Sequence, residues 1–482
     1  LRNAKTLVSD FRFIRRPRQY PKRNISSSIA ISQLNEELNL SNEHNKVLLS
    51  LLGGGDESFN LSGFQVRATK RVLDKYATHM SNLKPHKPSG TIVCSGTGSG
   101  KTLSFYLPAL TQLSQNICSD QSNRVQILAI YPRKELLKDQ FNETFKQARL
   151  LDDYLLQNNK RKIKIGTYFG DTLDDRYLDD KVKFNAIEFD LLKCECSGKL
   201  KWLDDDRKLK KEILTCSRCG NKIYEDEVAL TRQSIAPDIL FTTTEMLNQH
   251  LADSKNNHLF GVNTNAPIPL VLLDEVHTYE GTTGAQTSYL LKRWMKRSEN
   301  KPHFVGLSAT LSDAAGFFSS LTGTAKHNVE LIEPLSSEII EEGAEYLLAL
   351  RGDPVSQSAL LSTTIQTSML TRRMLDSNSN KKPVSNGTFG TKTFVFTDDL
   401  DVNNRLFEMI ADAEGWSHAF GKLTPESEPL AFLRSSKHPN YHSNKEQIQL
   451  LGQDWSNCEY IGHSTEDDDR ADVARTSSQD SG

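Results

Sequence analysis

The sequence predicts an α/β fold, a doubly wound parallel sheet, and three observations carry that prediction. Short apolar runs at residues 91–94, 125–131, 163–168, 239–242, 270–274 and 303–307 alternate with helical patterns, notably at 102–113, 134–148 and 285–296. Alternation of this kind builds a parallel sheet through right-handed crossovers. The first run passes directly into Gly96-Thr97-Gly98-Ser99-Gly100-Lys101-Thr102. The run Leu270-Val271-Leu272-Leu273 ends in two carboxylates, Asp274 and Glu275. In open parallel sheets ligands collect at the carboxyl ends of the strands, where both features fall.

The loop is built for phosphate. Glycines at 96, 98 and 100 let backbone N–H groups converge on phosphate oxygens, and the helix that follows presents its positive N-terminal end. In such a loop Thr97 and Ser99 complete the cradle, Lys101 reaches the β- and γ-phosphates, and Thr102 ligates Mg²⁺. Ser95 stands where the common pattern carries one more glycine. Asp274 is expected to hold Mg²⁺ through water, and Glu275 to orient or deprotonate the attacking water.

The order Gly-Ser-Gly-Lys-Thr, Asp274-Glu275-Val276-His277, Ser308-Ala309-Thr310 resembles superfamily 2 helicases of the DEAD/DEAH-box type. The resemblance implies a RecA-like domain over residues 59–333, an ATP and Mg²⁺ site, and the start of a second RecA-like domain over 391–482. It implies that Ser308, Ala309 and Thr310 couple hydrolysis to domain movement and that His277 takes part; by itself His277 also reads as a polar residue capping a strand. Tyr131-Pro132-Arg133-Lys134 resembles motif Ia, which would put Pro132 and Arg133 on a nucleic-acid backbone. Thr242, Thr243 and Thr244 resemble motif Ib, and equally suit the N-cap of a helix over 245–251. Gln65 stands where the family reads adenine, and alternatively is a helix-surface residue. A narrower resemblance, carried by residues 343–353, the cysteine insertion described next and Val395-Phe396-Thr397-Asp398, is to large bacterial anti-phage defence helicases of the DISARM and Druantia types and their repair-helicase relatives. It implies a cytoplasmic motor on single-stranded or forked DNA, in antiviral defence or DNA repair, beside a defence-system partner protein. RNA is the same-class alternative, and a nucleic-acid-binding scaffold without its own turnover is the different-class one.

Lys101 and Asp274 are 173 positions apart, and the excess lies between Asp171 and Asp238. Inside it Cys194-Glu195-Cys196 is followed, after nineteen intervening residues, by Cys216-Ser217-Arg218-Cys219-Gly220. Two close cysteine pairs at this separation suit tetrahedral Zn²⁺, with an iron–sulfur cluster as the rival. The other cysteines, Cys94, Cys118 and Cys458, are isolated, so the seven in all indicate a reducing compartment without a disulfide framework.

The net charge is −2 and apolar residues make up 37%, so nucleic-acid binding must use local patches. Residues 1–23 form one, with eight basic side chains against Asp10 and with Phe11, Phe13, Ile14 and Tyr20 interleaved. It reads either as a strand-gripping arm or as a segment that docks on another domain. Residues 24–58 read as a linker with a hinge at Gly53-Gly54-Gly55. Residues 334–375 look helical, 376–390 form a linker, and a strand at 392–397 with a helix at 400–413 opens the second domain. The family's later motifs, including its arginine finger, find no counterpart, so a longer chain is expected. No apolar run approaches the length of a membrane span.

Overall fold

A computed structural model of the protein describes residues 8–54, 59–81, 87–96, 98–118, 124–252, 256–264, 267–309, 311–352, 360–374, 394–397, 400–413, 416–417 and 422–423. The linker expected at 376–390 lies outside them. Among the described residues no helix is long and apolar enough to cross a membrane. The chain forms two compact units, Arg18–Glu342 and Leu1–Pro17 with Gly343–Gly482.

The larger unit is organised by one sheet of eight parallel strands: β1 (Ser89–Cys94), β2 (Ile127–Tyr131), β3 (Ile165–Tyr168), β4 (Val228–Ala229), β5 (Ile239–Thr243), β6 (Leu270–Leu273), β7 (His303–Ser308) and β8 (Val329–Ile332). Their order is β4-β3-β5-β2-β6-β7-β1-β8, and every pairing is parallel. Strands β2 and β6 are buried along their whole length, as continuous apolar runs require when helices cover both faces. The fold is therefore the doubly wound, parallel α/β class that the alternation predicts. Strand β7 lies between β1 and β6, with Leu273 opposite Gly306 and Cys94 opposite Ser308. The loop after β1 and the carboxylates after β6 thus flank the end of β7.

Between β3 and β4 the chain leaves the main sheet and forms a second, antiparallel one from Ala186–Glu188, Leu200–Leu203, Leu214–Cys216 and Lys222–Ile223. Its core holds Leu200, Trp202 and Leu214, with the Trp202 indole N–H donating to the Lys211 carbonyl at 2.8 Å. The chain has rejoined the main sheet at Val228, inside the interval read from sequence as insertion.

Four expectations need correction. Residues 24–58 are not simply a linker: helices Ser27–Leu38 and Asn42–Leu51, capped by Ser26 and Ser41, bury Ala30, Leu34, Val47, Leu48 and Leu51 in the main core. The glycine run does follow, with Gly53 and Gly54 at positive φ and Gly55 outside the described residues. The basic segment, read as a strand-gripping arm or a docking segment, is itself a strand, because Val8–Pro21 pairs with Ile339–Gly352 in a two-stranded ribbon. The same pairing explains why 339–352 is strand where Glu, Ala and Leu suggest helix: a partner over 300 residues away overrides local propensity. The next described helix is Leu360–Met374, which packs with Leu400–Ala413 through Ile365 and Leu406. Finally, Phe394, Val395, Phe396 and Thr397 form no ladder among the described residues, although the helix after them is present.

At the amino-terminal end of the sheet one buried carboxylate joins three segments. Asp238 is fully buried, and Arg161 grips it with two bonds of 2.6 and 2.7 Å while the Lys164 amide donates at 3.0 Å. Its own carbonyl accepts from Gln126 and Ile127. Removing one member of such a pair strands the other charge in the interior. Arg161→Leu is therefore expected to lower the unfolding free energy by about 3–5 kcal/mol, and adding Asp238→Asn to restore a substantial part. Urea unfolding reads both; an unchanged midpoint in Arg161→Leu would mean the clamp contributes nothing.

Candidate nucleotide site

The loop between β1 and helix Leu103–Asn116 is a tight wrap. Gly98 and Gly100 have φ of 74° and 80°, backbone that residues with a Cβ rarely adopt. A Cβ on Gly100 would also lie 2.8 Å from the Gln65 amide nitrogen. The Gly100 carbonyl accepts from Leu103, and that of Lys101 from Ser104, so the loop winds directly into the helix. Thr102 holds the N-cap position without using its side chain for the cap. The Ser95 and Ser99 hydroxyls are buried with no hydrogen-bond partner among the described residues. A cradle with unengaged hydroxyls, an open Thr102 and a lysine at its end fits a triphosphate with its cation.

Across the loop stand the carboxylates. Lys101 Nζ is 3.8 Å from Glu275 Oε1. Glu275 has φ 46°, the left-handed region, which is strained for a residue with a side chain. Asp274 Oδ1 accepts the Glu275 amide at 2.8 Å. Asp274 is 3% exposed, and burial, reinforced by the Glu275 charge, pushes its carboxyl up to about 7. The Glu275 amide and Lys101 pull the other way. His277 Nδ1 lies 3.3 Å from Glu275 Oε2 and 3.5 Å from Ser308 Oγ. The Ser308 carbonyl in turn accepts the Ser95 amide at 3.2 Å. One chain of contacts therefore runs from the carboxylates through His277 and Ser308 to the start of the phosphate loop. Ala309 follows Ser308, and Thr97 and Thr310 lie outside the described residues.

Gln65 is not a helix-surface residue. It is buried in the first turn of helix Gly63–Ser81, with Nε2 donating to the Gly100 carbonyl at 2.9 Å and Oε1 accepting the Ser62 amide at 2.8 Å. Sequence reasoning missed Arg23 as a site residue. Its Nη2 donates to the Gly98 carbonyl at 3.3 Å, and only its place in a basic segment marked it beforehand.

The motif Ia and Ib positions come to neighbouring strand ends, since Thr243 pairs with Tyr131. Pro132 is half-buried and Arg133 exposed, ahead of helix Lys134–Arg149. Thr242 departs from the expected role, because its side chain is fully buried and donates to the Tyr168 carbonyl at 2.7 Å. Thr243 accepts the Met246 amide at 3.4 Å, a helix-capping contact, and Thr244 is half-buried beside it.

The four paired cysteines converge. The sulfurs of Cys194, Cys196, Cys216 and Cys219 lie within 4.8 Å of one another, with three separations of 3.4–3.6 Å. Tetrahedral ligation with a Zn–S bond of about 2.3 Å needs sulfurs about 3.8 Å apart, so the set fits. The amides of Gly198 and Arg218 each point at a sulfur, at 3.4 Å. A Cβ on Gly198 would stand 2.5 Å from the Cys216 sulfur, so only glycine fits there.

The DEAD/DEAH box helicase family model matches residues 76–171 and 202–316, leaving a gap that contains the first cysteine pair. These residues are similar to DEAD/DEAH box helicases. Among curated relatives, an uncharacterized ATP-dependent helicase of Methanocaldococcus jannaschii, MJ1574, is 30% identical over 151 residues, 31% of this chain and 21% of its own length. The ATP-dependent helicase hrq1 of Schizosaccharomyces pombe is 23% identical over 56% of this chain and 19% of its own length. YprA of Bacillus subtilis, an uncharacterized ATP-dependent helicase, is 25% identical over 53% and 25%. The chain thus spans about a fifth to a quarter of the length of these relatives. Of solved structures, the DUF1998 helicase MrfA bound to DNA aligns at TM-score 0.42 and 17% identity, covering 78% of this chain and 39% of that one. The helicase Lhr of Mycobacterium smegmatis bound to single-stranded DNA and AMP-PNP aligns at 0.40 and 15%, covering 83% and 41%.

Asp274 gives the larger unit a pH signature. Its folded-state value, about 7, lies above the 3.8 of an ordinary aspartate, so ionisation is penalised only in the folded chain. That penalty is absent below the unfolded value, grows as pH rises between the two, and is complete above about 7. Asp274→Asn should therefore raise the melting temperature of the nucleotide-free protein at pH 8 by several degrees and change it little at pH 4. Equal shifts at both pH values would show that burial does not raise the proton affinity of Asp274.

Proposed function

We propose that the chain carries the nucleotide-hydrolysing part of an ATP-dependent helicase or translocase that acts on DNA, in the company of bacterial defence and repair helicases. The observation that supports it best is the meeting of Lys101, Asp274, Glu275, His277 and Ser308 at the carboxyl ends of three adjacent strands, inside the region similar to DEAD/DEAH box helicases. In this reading Gly96, Thr97, Gly98, Ser99 and Gly100 wrap the phosphates, and Lys101 leaves Glu275 for the β- and γ-phosphates. Thr102 and Asp274 would hold Mg²⁺, which neutralises developing phosphate charge. Glu275, freed from Lys101 and oriented by His277, takes the proton of the attacking water. The Ser308–Ser95 contact then carries a change at the carboxylates to the phosphate loop.

A nucleic-acid strand would cross the ends of β2 and β5, gripped by Arg133 with Pro132, Thr243 and Thr244. Contacts there are to phosphate, so they are independent of sequence. DNA is favoured by the likeness of the cysteine insertion and of residues 343–353 to defence and repair helicases. In the protein at its natural length, Glu275→Gln should still bind ATP while its turnover falls by about 100-fold or more. Single-stranded DNA should stimulate the parent's ATPase more than RNA of the same length. Undiminished hydrolysis in Glu275→Gln would remove the catalytic assignment, and a preference for RNA would replace DNA as substrate.

The cysteine cluster is proposed as a structural zinc site held by Cys194, Cys196, Cys216 and Cys219. Elemental analysis should find about one zinc per chain. Gly198→Ala should lose it while ATP still binds, since the ribbon is a separate sheet. Equimolar iron with visible absorbance would make the group an iron–sulfur cluster instead.

A further inference from the structure

The two-stranded ribbon presents a surface that the nucleotide site does not use. Residues 8–17 and 343–352 of it both belong to the smaller compact unit. The Ser9 hydroxyl donates to the Arg351 and Gly352 carbonyls at 3.3 and 3.2 Å. The Phe13 and Tyr346 rings stack, with centroids 5.8 Å apart and planes 18° from parallel. These contacts make the strands antiparallel and put Phe13 and Tyr346 on one face. Strand side chains alternate between faces, so Phe11 and Arg15 join Phe13, and Leu348 joins Tyr346. Asp10, Arg12, Ile14 and Arg16 fall on the opposite face, as do Glu345 and Leu347.

The ring-bearing face is not a core. Phe11 is 66% exposed, Phe13 59%, Tyr346 62% and Leu348 55%. A two-stranded ribbon with wet faces is marginally stable, and large apolar side chains exposed side by side mark an interaction site. Charge decides which occupant fits. The two stretches hold four arginines against two carboxylates, Asp10 and Glu345, and neither carboxylate is on the ring-bearing face. The side chains of Arg12, Arg15 and Arg16 have no ion-pair partner among the described residues. The Asp10 carboxylate accepts the Phe11 amide at 2.8 Å. A purely apolar partner would cover the rings and leave the guanidiniums without counter-charge. A chain of planar groups joined by anions satisfies both, because bases stack on the rings while phosphates meet the arginines. A duplex keeps its bases stacked on one another, so open ring faces select a single strand.

Resting on the nucleic-acid reading above, we propose that this face of the ribbon is a platform for single-stranded nucleic acid, with a base stacked on the Phe13–Tyr346 pair and a phosphate held by Arg15. Arg12 and Arg16 add positive potential from the opposite face. The platform is a grip on the smaller unit, in addition to Arg133 on the larger one. Every base presents a π-face, so such a platform holds a strand with little regard to its sequence.

The test is equilibrium binding of a single-stranded DNA oligonucleotide, and of an abasic strand of equal length, to the 482-residue chain by fluorescence anisotropy. Phe13→Leu keeps an apolar side chain and removes the ring. It should weaken the DNA by about tenfold and leave the abasic strand unchanged, with an unaltered melting temperature. Phe13→Trp should retain the parent's affinity. Arg15→Gln should weaken both strands and reduce the slope of log K against log salt by about 0.7. Unchanged DNA binding in Phe13→Leu would overturn the platform; Arg133→Ala still weakening the DNA would then leave the path over β2 and β5 standing. Equal loss of the DNA and the abasic strand in Phe13→Leu would show that no base stacks there and overturn it as well. Self-association of the parent that Phe13→Leu abolishes, with DNA binding unchanged, would make the face an interface between copies of the chain. Binding of neither strand by the parent would remove the platform and the nucleic-acid reading together.

Discussion

The position of strand β7 is the constraint on which the site depends. Because His303–Ser308 pairs on one side with Ser89–Cys94 and on the other with Leu270–Leu273, the ends of three strands have fixed separations. A one-residue slip would turn the side chains of a strand to the opposite face. Here that would take Ser308 out of reach of His277 and carry the Ser95 amide off the Ser308 carbonyl. Continuous burial of β2 and β6, and Trp294 held beneath by its N–H to the Phe260 carbonyl at 2.8 Å, make such a slip costly. The chemistry at the edge of the sheet thus borrows its precision from apolar packing at its centre.

The same sheet carries charge at both ends, and the two ends solve the problem differently. At the amino-terminal end Asp238 is buried but fully engaged by a bidentate guanidinium and a backbone amide. At the carboxyl end Asp274 is also buried, yet among the described residues its carboxylate accepts one hydrogen bond, from the Glu275 amide, and burial raises its proton affinity. A satisfied buried charge makes a joint; an unsatisfied one is a binding group in waiting. The contrast between two aspartates of one sheet separates the structural end from the reactive end without reference to any motif.

Much of this was legible in the sequence because it is local. The phosphate loop, the paired carboxylates and the cysteine pairs are each contiguous within a few residues, and strands buried on both faces announce themselves as apolar runs. What escaped was set by distant partners. The strand Ile339–Gly352 reads as helix until Val8–Pro21 is laid beside it, and the Ser26 and Ser41 caps are too weak a signal to turn a Ser- and Asn-rich stretch into helices. Thr242 looks like a phosphate contact in the sequence, but strand alternation turns its hydroxyl inward to Tyr168. Arg23 sits 75 residues from the glycine it touches, in a segment whose composition suggests a charged surface and nothing more.

Glu275 gathers these threads. It lies two residues past the end of a buried strand, so the chain must turn sharply there, and it does so with a backbone angle that a glycine would adopt more easily. Its side chain is spoken for by two neighbours, Lys101 at 3.8 Å and His277 at 3.3 Å, and its amide by Asp274. The strained turn aims the carboxylate back over the phosphate loop instead of letting it follow the strand into solvent. Lys101 and Glu275 carry opposite charges and pair across the cleft. That pairing keeps the lysine extended toward the place where phosphates would lie and limits the rotamers it must give up on binding one. In the proposed nucleotide site the ion pair is therefore better understood as preorganisation than as stability: it is partly exposed, longer than a hydrogen bond, and replaceable by a triphosphate.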